Sequence, residues 1–168
     1  IGLMGGQKKY KQKLDTLFEK GYYNMANEPD ILAPFLYNYL EGGIGETSVR
    51  TKKVLRNNFK NSIDGIPGDD DCGTMSAWAL FTMMGFYPVS PAAAEYALFT
   101  PVFDEITIKL NKQFYLGTSF KIVKKGTVPE NTVPAVKLAI NGNTTASTFI
   151  NHESITRGGN LEMEVKPR

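Results

Sequence analysis

At 168 residues with 42% hydrophobic side chains, the chain is long enough for one substantial domain or two small ones, and its composition excludes a disordered polymer. Nineteen Lys and Arg against 17 Asp and Glu leave a formal charge of +2, and the densest basic cluster, KKYKQK at Lys8 to Lys13, lies on an amphipathic pattern, so a solvated helix face is expected there and not a nucleic-acid surface. The single cysteine, Cys72, excludes an internal disulfide framework, the single histidine, His152, excludes a histidine-rich metal site, and no apolar run approaches the roughly 20 residues needed to span a bilayer.

Taken in chain order, the first half reads as helical. From Gln7 to Lys20 the apolar residues Tyr10, Leu14, Leu17 and Phe18 recur at helical spacing, and Gly21 falls where a left-handed C-terminal cap belongs. A second helix is expected from about Asp30 to Leu40. Its Ile31, Leu32, Phe35, Leu36 and Tyr39 are too densely apolar for a one-sided surface helix; Pro29 and Pro34 suit the first turn, and Gly42-Gly43 ends it. A third is expected over Thr47 to Lys60, with Thr47 or Ser48 as N-cap and with Val49, Val54, Leu55 and Phe59 among charges, which predicts partial exposure. The fourth, Thr74 to Met84, has Asp71 as its expected N-cap and Gly85 as its stop. It is apolar on nearly every face, which predicts burial all round.

Pro88, Pro91 and Pro101 then flank a connecting segment, and the pattern changes. EITIKL (Glu105 to Leu110) alternates, and QFYLG and TSFKIVKK follow as strands after short polar breaks. VKLAI-NG-NTTASTFI carries a hairpin signal at Asn141-Gly142, and NLEMEV (Asn160 to Val165) supplies a last strand. Helices followed by strands, without alternation, predict an α+β fold, with helices over 1–90 and a small antiparallel β region over 91–168. Asn143-Thr144-Thr145 matches an N-glycosylation sequon, a pattern that chance supplies often.

The chemistry points to GDDDCG. Gly65, Pro67, Gly68 and Gly73 surround Asp69, Asp70 and Asp71, so a tight loop is expected to end at a helix N-terminus, whose partial charge stabilises one carboxylate and not three. In an extended or turn conformation Asp69 and Asp71 can point the same way while Asp70 faces elsewhere. Two convergent carboxylates suit a cation, an oriented water or a proton acceptor in glycoside hydrolysis. The plain alternative is one capping aspartate and two solvated charges. NEPD, Asn27 to Asp30, repeats the arrangement of polar groups before a buried helix, and two such mouths suggest a shared pocket. Aromatic residues are plentiful nearby, although Trp78 is expected in the core. Cys72 is expected as a small buried residue at the helix start, and His152 as a polar residue in a β connection.

LMGG (Leu3 to Gly6), NEPDILAPFLYNY (Asn27 to Tyr39), GIPGDDDCGTMSAWALFTMMGFYPVSP (Gly65 to Pro91), EYALFTPVFDEITIKL (Glu95 to Leu110) and INHESITRGGNLEMEV (Ile150 to Val165) occur in the order seen in glycoside hydrolase family 92. The chain resembles that family, the calcium-dependent exo-acting α-mannosidases, over nearly its whole length. The resemblance implies that the helices belong to an (α/α)6 barrel, of which only part is present, followed by a small β region. It implies Asp71 as the base that activates water, with Asp69 assisting, although many relatives carry Asn at that position. Glu28 matches a substrate-binding glutamate. Asn27 stands where many α-1,2-specific relatives have histidine, and it is a second substrate-binding candidate. The implied cofactor is Ca2+, for which Asn27 and Asp30 are the candidate ligands, and the implied partner is a mannose-containing glycan.

An inverting glycosidase needs an acid and a base with carboxyl groups roughly 6.5–9.5 Å apart. The family's catalytic glutamic acid and its β-sandwich lie upstream of the LMGG match, so the expectation is the C-terminal part of a longer enzyme, inactive alone and completed by its N-terminal part. The resemblance further implies an α-mannosidase, α-1,2-acting in the first reading, in the periplasm, secreted or at the cell surface, although no signal pattern precedes LMGG. Two other readings are a carbohydrate-binding module in which the β region and aromatics hold glycan without hydrolysis, and a structural piece that completes the barrel.

Overall fold

The computed structural model describes residues Ile1 to Arg168. Helix α1 (Gln7–Glu19) follows the predicted periodicity. It buries Leu14 with Tyr37 and Leu40, while Tyr10 and Phe18 flank that cluster. Gly21 has φ +70°, the left-handed value expected just past a helix end.

The expected α-helix over Asp30 to Leu40 forms instead as two 3-10 segments, Glu28–Asp30 and Ala33–Tyr39. Pro34 supplies a reason for the break: its ring lacks an N–H and clashes with the carbonyl four residues back, so an α-helix opened at Glu28 cannot run through it. Gly43 lets the chain turn sharply afterwards, because a Cβ there would lie 1.7 Å from the Tyr37 carbonyl oxygen. Helix α2 (Ile44–Asn58) therefore begins three residues before the expected start, and neither Thr47 nor Ser48 is its N-cap. Both lie buried inside the helix with Thr51. The Ser48 hydroxyl donates to the Ile44 carbonyl and that of Thr51 to the Thr47 carbonyl, each at 2.7 Å, which satisfies these two locally, while the buried Thr47 hydroxyl has no partner.

Helix α3 (Thr74–Met84) has the expected bounds. Met75, Trp78 and Thr82 are buried, but Leu80 is 54% exposed, so the helix is not covered all round as its composition predicts. Apolar composition states a need for cover; the contacts within this chain meet only part of it.

Two strands that periodicity did not show lie just before and within the connecting segment, β1 (Phe86–Tyr87) and β2 (Glu95–Leu98). Six more follow: β3 (Glu105–Lys109), β4 (Ser119–Lys125), β5 (Pro134–Ile140), β6 (Asn143–Thr145), β7 (Phe149–Asn151) and, after the short helix α4 (His152–Thr156), β8 (Gly159–Pro167). They form a three-stranded sheet ordered β1-β2-β7 and a five-stranded sheet ordered β3-β4-β8-β5-β6. The larger sheet is mixed and not purely antiparallel, since β8 inserts between β4 and β5 and runs parallel to β4 from Phe120↔Gly159 to Lys125↔Glu164. The Asn-Gly hairpin joins β5 to β6 as expected, with φ +49° at Asn141 and +80° at Gly142.

QFYLG is not a strand. Asn111 ties it into a turn, its carbonyl accepting the amides of Phe114 and Tyr115 at 3.0 Å and its side chain the amide of Gln113 at 2.9 Å.

Two apolar clusters hold the chain together. One joins Ile44 of α2 to Phe120, Ile122, Leu161, Met163 and Val165 of the larger sheet. The other joins Met25, Ile31, Phe35, Met75 and Trp78 to Tyr87, Val89, Ala97 and Phe99. This second cluster underlies both polar loops discussed next.

Candidate active site

The loop before α3 is built from backbone that side chains would obstruct. A Cβ on Gly65 would lie 1.9 Å from the Lys60 carbonyl oxygen, and the Lys60 amide closes the base of the loop by donating to the Gly65 carbonyl at 2.9 Å. Three consecutive residues then take left-handed dihedrals: Asp71 at φ +48°, Cys72 at +57° and Gly73 at +95°. For each of the two non-glycine residues this costs on the order of 1 kcal/mol or more. The turn persists because it is tied from both sides. The Asp70 carbonyl accepts the amides of Gly73 and Met75 at 3.1 and 3.2 Å, and the Asp71 carbonyl accepts the Thr74 hydroxyl at 2.8 Å.

Asp71 is not the N-cap of α3. Gly73 occupies that position, and the carboxylate that caps the helix is Asp70, whose Oδ1 accepts both the Ser76 amide and the Ser76 hydroxyl at 2.8 Å. The left-handed turn separates Asp71 from the helix end and brings Asp70 back over it. Asp69 and Asp71 remain exposed, with neither a hydrogen bond nor an ion pair from the protein to their carboxylates. Cys72 is exposed as well, since it rides on the turn and not inside the helix as expected.

The second loop lies against the first. A Cβ on Gly68 would sit 3.1 Å from the Ala26 Cβ, so the backbone just before the aspartates touches the segment that carries Asn27 and Glu28. That segment is closed by its own polar groups. The Asn24 amide donates to Asp30 Oδ2 at 3.0 Å, and the Ala26 amide donates to Asn24 Oδ1 at 3.1 Å. Burial and the charge of Asp30 push the Tyr23 phenol well above its ordinary pKa. Asn27 and Glu28 are exposed. Glu28 and Thr74, the first residue of α3, line one open cleft of about 470 Å³ with Tyr87, Pro88 and Val89.

Trp78 fixes the two loops from below. It is fully buried, stacks on Phe59 with ring centroids 5.5 Å apart, and donates its indole N–H to the Ile31 carbonyl at 2.9 Å. It is a core residue, as expected. His152 opens α4, exposed, with Nδ1 2.8 Å from the Tyr96 hydroxyl.

Sequence reasoning missed the roles of Asp70, Thr74 and the Pro88-Val89 wall. Ser76 in the first turn of α3 was a usable signal for a remote cap; nothing local signalled the wall.

Calcium takes about six to eight oxygen ligands. Asn27 offers its side-chain oxygen, and Asp30 offers one carboxylate oxygen, the other being engaged by Asn24. No group of three or more Asp, Glu, His or Cys side chains is placed to hold a metal ion. Asn27 and Asp30 alone fall short of the ligands a calcium ion takes. What the acidic loop does present is two exposed carboxylates without partners, on backbone that touches the segment bearing Glu28; such groups are able to accept a proton or orient a water.

The chain is 32% identical over 163 residues to an uncharacterized secreted glycosidase of Arthroderma benhamiae, a match that takes in 97% of this chain and 21% of the relative. The α-mannosidase BT3965 of Bacteroides thetaiotaomicron superposes with a TM-score of 0.83 at 27% identity, over 97% of this chain and 22% of that one. The inverting mannosidase BT2199 of the same species superposes with a TM-score of 0.81 at 25% identity, over 98% of this chain and 25% of that one. The chain thus spans between a fifth and a quarter of the length of these relatives. The model of the glycosyl hydrolase family 92 catalytic domain matches residues 1–167, and the chain belongs to that family.

Proposed function

We propose that this chain is the C-terminal part of an exo-acting α-mannosidase that removes terminal mannose from N-glycans or mannans with inversion, α-1,2 linkages being the first candidates. The observation that carries the reading is the close approach of Gly68 to Ala26, which brings the loop that bears Asp69 and Asp71 against the segment that bears Asn27 and Glu28. The family membership and the mannosidases among its structural neighbours supply the substrate class.

In this reading Asp71 takes the proton of the attacking water and Asp69 assists it. Glu28 and Asn27 bind the sugar. The acid that protonates the leaving oxygen lies outside this chain, in the N-terminal part of the same enzyme. An inverting pair needs a gap of roughly 6.5–9.5 Å for the water. An exposed base on a rigid turn suits such a gap, since its partner approaches from another segment. Calcium is proposed as the cofactor, with Asn27 and Asp30 as two of its donors and the rest outside this chain.

The helices α1 to α3 are proposed to form part of an (α/α)6 barrel within residues 1–90, with residues 91–168 as the β region packed on it. The half-exposed Leu80 on a mostly apolar helix supports a covering neighbour. A secreted or periplasmic location accords with the secreted fungal relative, and no helix of the chain is long and apolar enough to cross a membrane.

The test uses the isolated chain and the longer enzyme side by side, each with α-mannobioses and calcium. Turnover is expected from the longer enzyme alone. Efficient hydrolysis by the 168-residue chain would show that no essential acid is missing from it.

A further inference from the structure

A second polar crevice lies away from the aspartate loop, between α2 and the segment 128–134. Ser48, Lys52 and Arg56 line it from the helix, Glu130 and Thr132 from the facing segment, and Thr100 from the end of β2's connection. Its volume is about 90 Å³. A water occupies about 30 Å³ in the liquid, so the crevice has room for about three waters, and it falls far below the roughly 300 Å³ at which pockets for sugars and drug-sized ligands begin.

The charges around it do not balance. Glu130 pairs with Arg56 at the rim. The ammonium of Lys124, whose side chain is only 9% exposed, bonds to Asp104 at 3.1 Å and to the carbonyls of Pro101 and Val102 at 3.3 and 3.1 Å. Both neighbouring carboxylates are therefore engaged. Lys52 is half-buried, and no acceptor of the protein meets its ammonium. Burial first, and then the charge of Lys124, hold its pKa down to about 8, so it still carries a proton at neutral pH. A partly buried cation without a partner from the protein is unfavourable unless an anion meets it.

We propose that this crevice binds a small tetrahedral oxyanion, phosphate or sulfate, on the Lys52 ammonium with the hydroxyls of Thr100 and Thr132 as further donors. The ion would bridge α2 to the 128–134 segment, where Gly45 of α2 already approaches the Pro134 carbonyl so closely that a Cβ would lie 2.3 Å from it. The inference does not depend on the glycosidase reading.

The experiment is calorimetric titration of the full-length protein at pH 7 and constant ionic strength with inorganic phosphate, sulfate, acetate and chloride. Phosphate and sulfate are expected to bind saturably, one per chain, and acetate and chloride are not. Lys52→Met is expected to weaken phosphate binding by about tenfold or more, as for loss of a hydrogen bond to a charged group, and Lys52→Arg to retain it. A second readout keeps the test decisive if Lys52→Met does not fold. Phosphate should protect Lys52 from amine acylation, followed by mass spectrometry, more than it protects other lysines. Absence of saturable phosphate binding, unaltered affinity in Lys52→Met, equal binding of acetate, or unprotected Lys52 would each overturn the proposal.

Discussion

Two groups of carboxylates in this chain have opposite surroundings. Asp15 of α1 and Glu46 of α2 face Lys11 and Arg50: Asp15 meets Lys11 and Arg50 at 2.8 Å, and Glu46 meets Arg50 at 2.7 Å. The Tyr37 hydroxyl donates to Asp15 at 2.9 Å, and the Arg50 guanidinium lies 4.3 Å from the centre of the Tyr37 ring. Asp69 and Asp71 have no such partners, and Asp71 sits on strained backbone. The first group has its charge neutralised and fastens α1 to α2. The second keeps its charge available at some cost to the fold. Strain and uncompensated like charge persist where the surrounding structure enforces them, and such places gather at functional sites.

The sharpest way to break the comparison is to remove one charge from each group and measure turnover and stability separately. Asp71→Asn in the longer enzyme should lower kcat by about 10²–10⁴, the usual contribution of a general base, while mannoside binding and the melting temperature stay near wild type. Asp69→Asn should act in the same direction with a smaller loss, since Asp69 is proposed only to assist the base. Unchanged kcat in Asp71→Asn would return the acidic loop to a solvated helix approach.

Asp15→Asn should do the reverse. The Asp15 and Arg50 side chains are 22% and 16% exposed, between the exposed and buried limits for ion pairs. A loss of about 2 kcal/mol is expected, above the ~1 kcal/mol of a surface pair and below the ~3–5 of a fully buried one. For a chain of this size that is a fall of about 4–8 °C in melting temperature, and in the longer enzyme turnover per folded molecule should be unchanged.

The same network fixes the sign of a pH effect. Partial burial works against ionised Asp15, but hydrogen bonds from Lys11 and Tyr37 and the charges of Lys11 and Arg50 outweigh it and hold its pKa below the ordinary 3.8. A depressed carboxylate pKa stabilises the fold above the unfolded value and loses that contribution as pH falls through the folded one. Acid unfolding below about pH 4 should therefore be less steep in Asp15→Asn than in wild type. An identical acid limb in denaturation curves would mean that the network carries no linkage.

What was legible in the sequence follows the range of the forces involved. The bounds of α3, the end of α1 at Gly21 and the Asn141-Gly142 hairpin depend on local dihedrals and apolar spacing, and the sequence read them correctly. The pairs Lys11–Asp15 and Glu46–Arg50 stand at helical i,i+4 spacing and were open to the same reading, although their meeting across two helices was not. The parallel pairing of β4 with β8 joins residues about forty positions apart, which no local pattern encodes. Within the site, the acidic loop and NEPD stood out by composition, but their contact through Gly68 and Ala26 is a product of the shared core under Trp78. Assigning the cap to Asp71 failed because three successive left-handed residues look, in sequence, like an ordinary approach to a helix.

Asp70 tests where the two kinds of carboxylate divide. It belongs by sequence to the acidic loop, yet by contact it resembles Asp15, since Ser76 donates to it twice at 2.8 Å. Asp70→Ala should cost about 1 kcal/mol, the usual loss of an N-cap interaction, and should speed hydrogen exchange at the Ser76 amide. Any fall in turnover should come from a loosened Asp71, so it should be smaller than that of Asp71→Asn and partly restored in Asp70→Asn, which can still accept from Ser76. If instead Asp70→Ala lost as much turnover as Asp71→Asn with no change in exchange at Ser76, Asp70 would be acting on substrate, and the division between structural and chemical carboxylates within this loop would have to be redrawn.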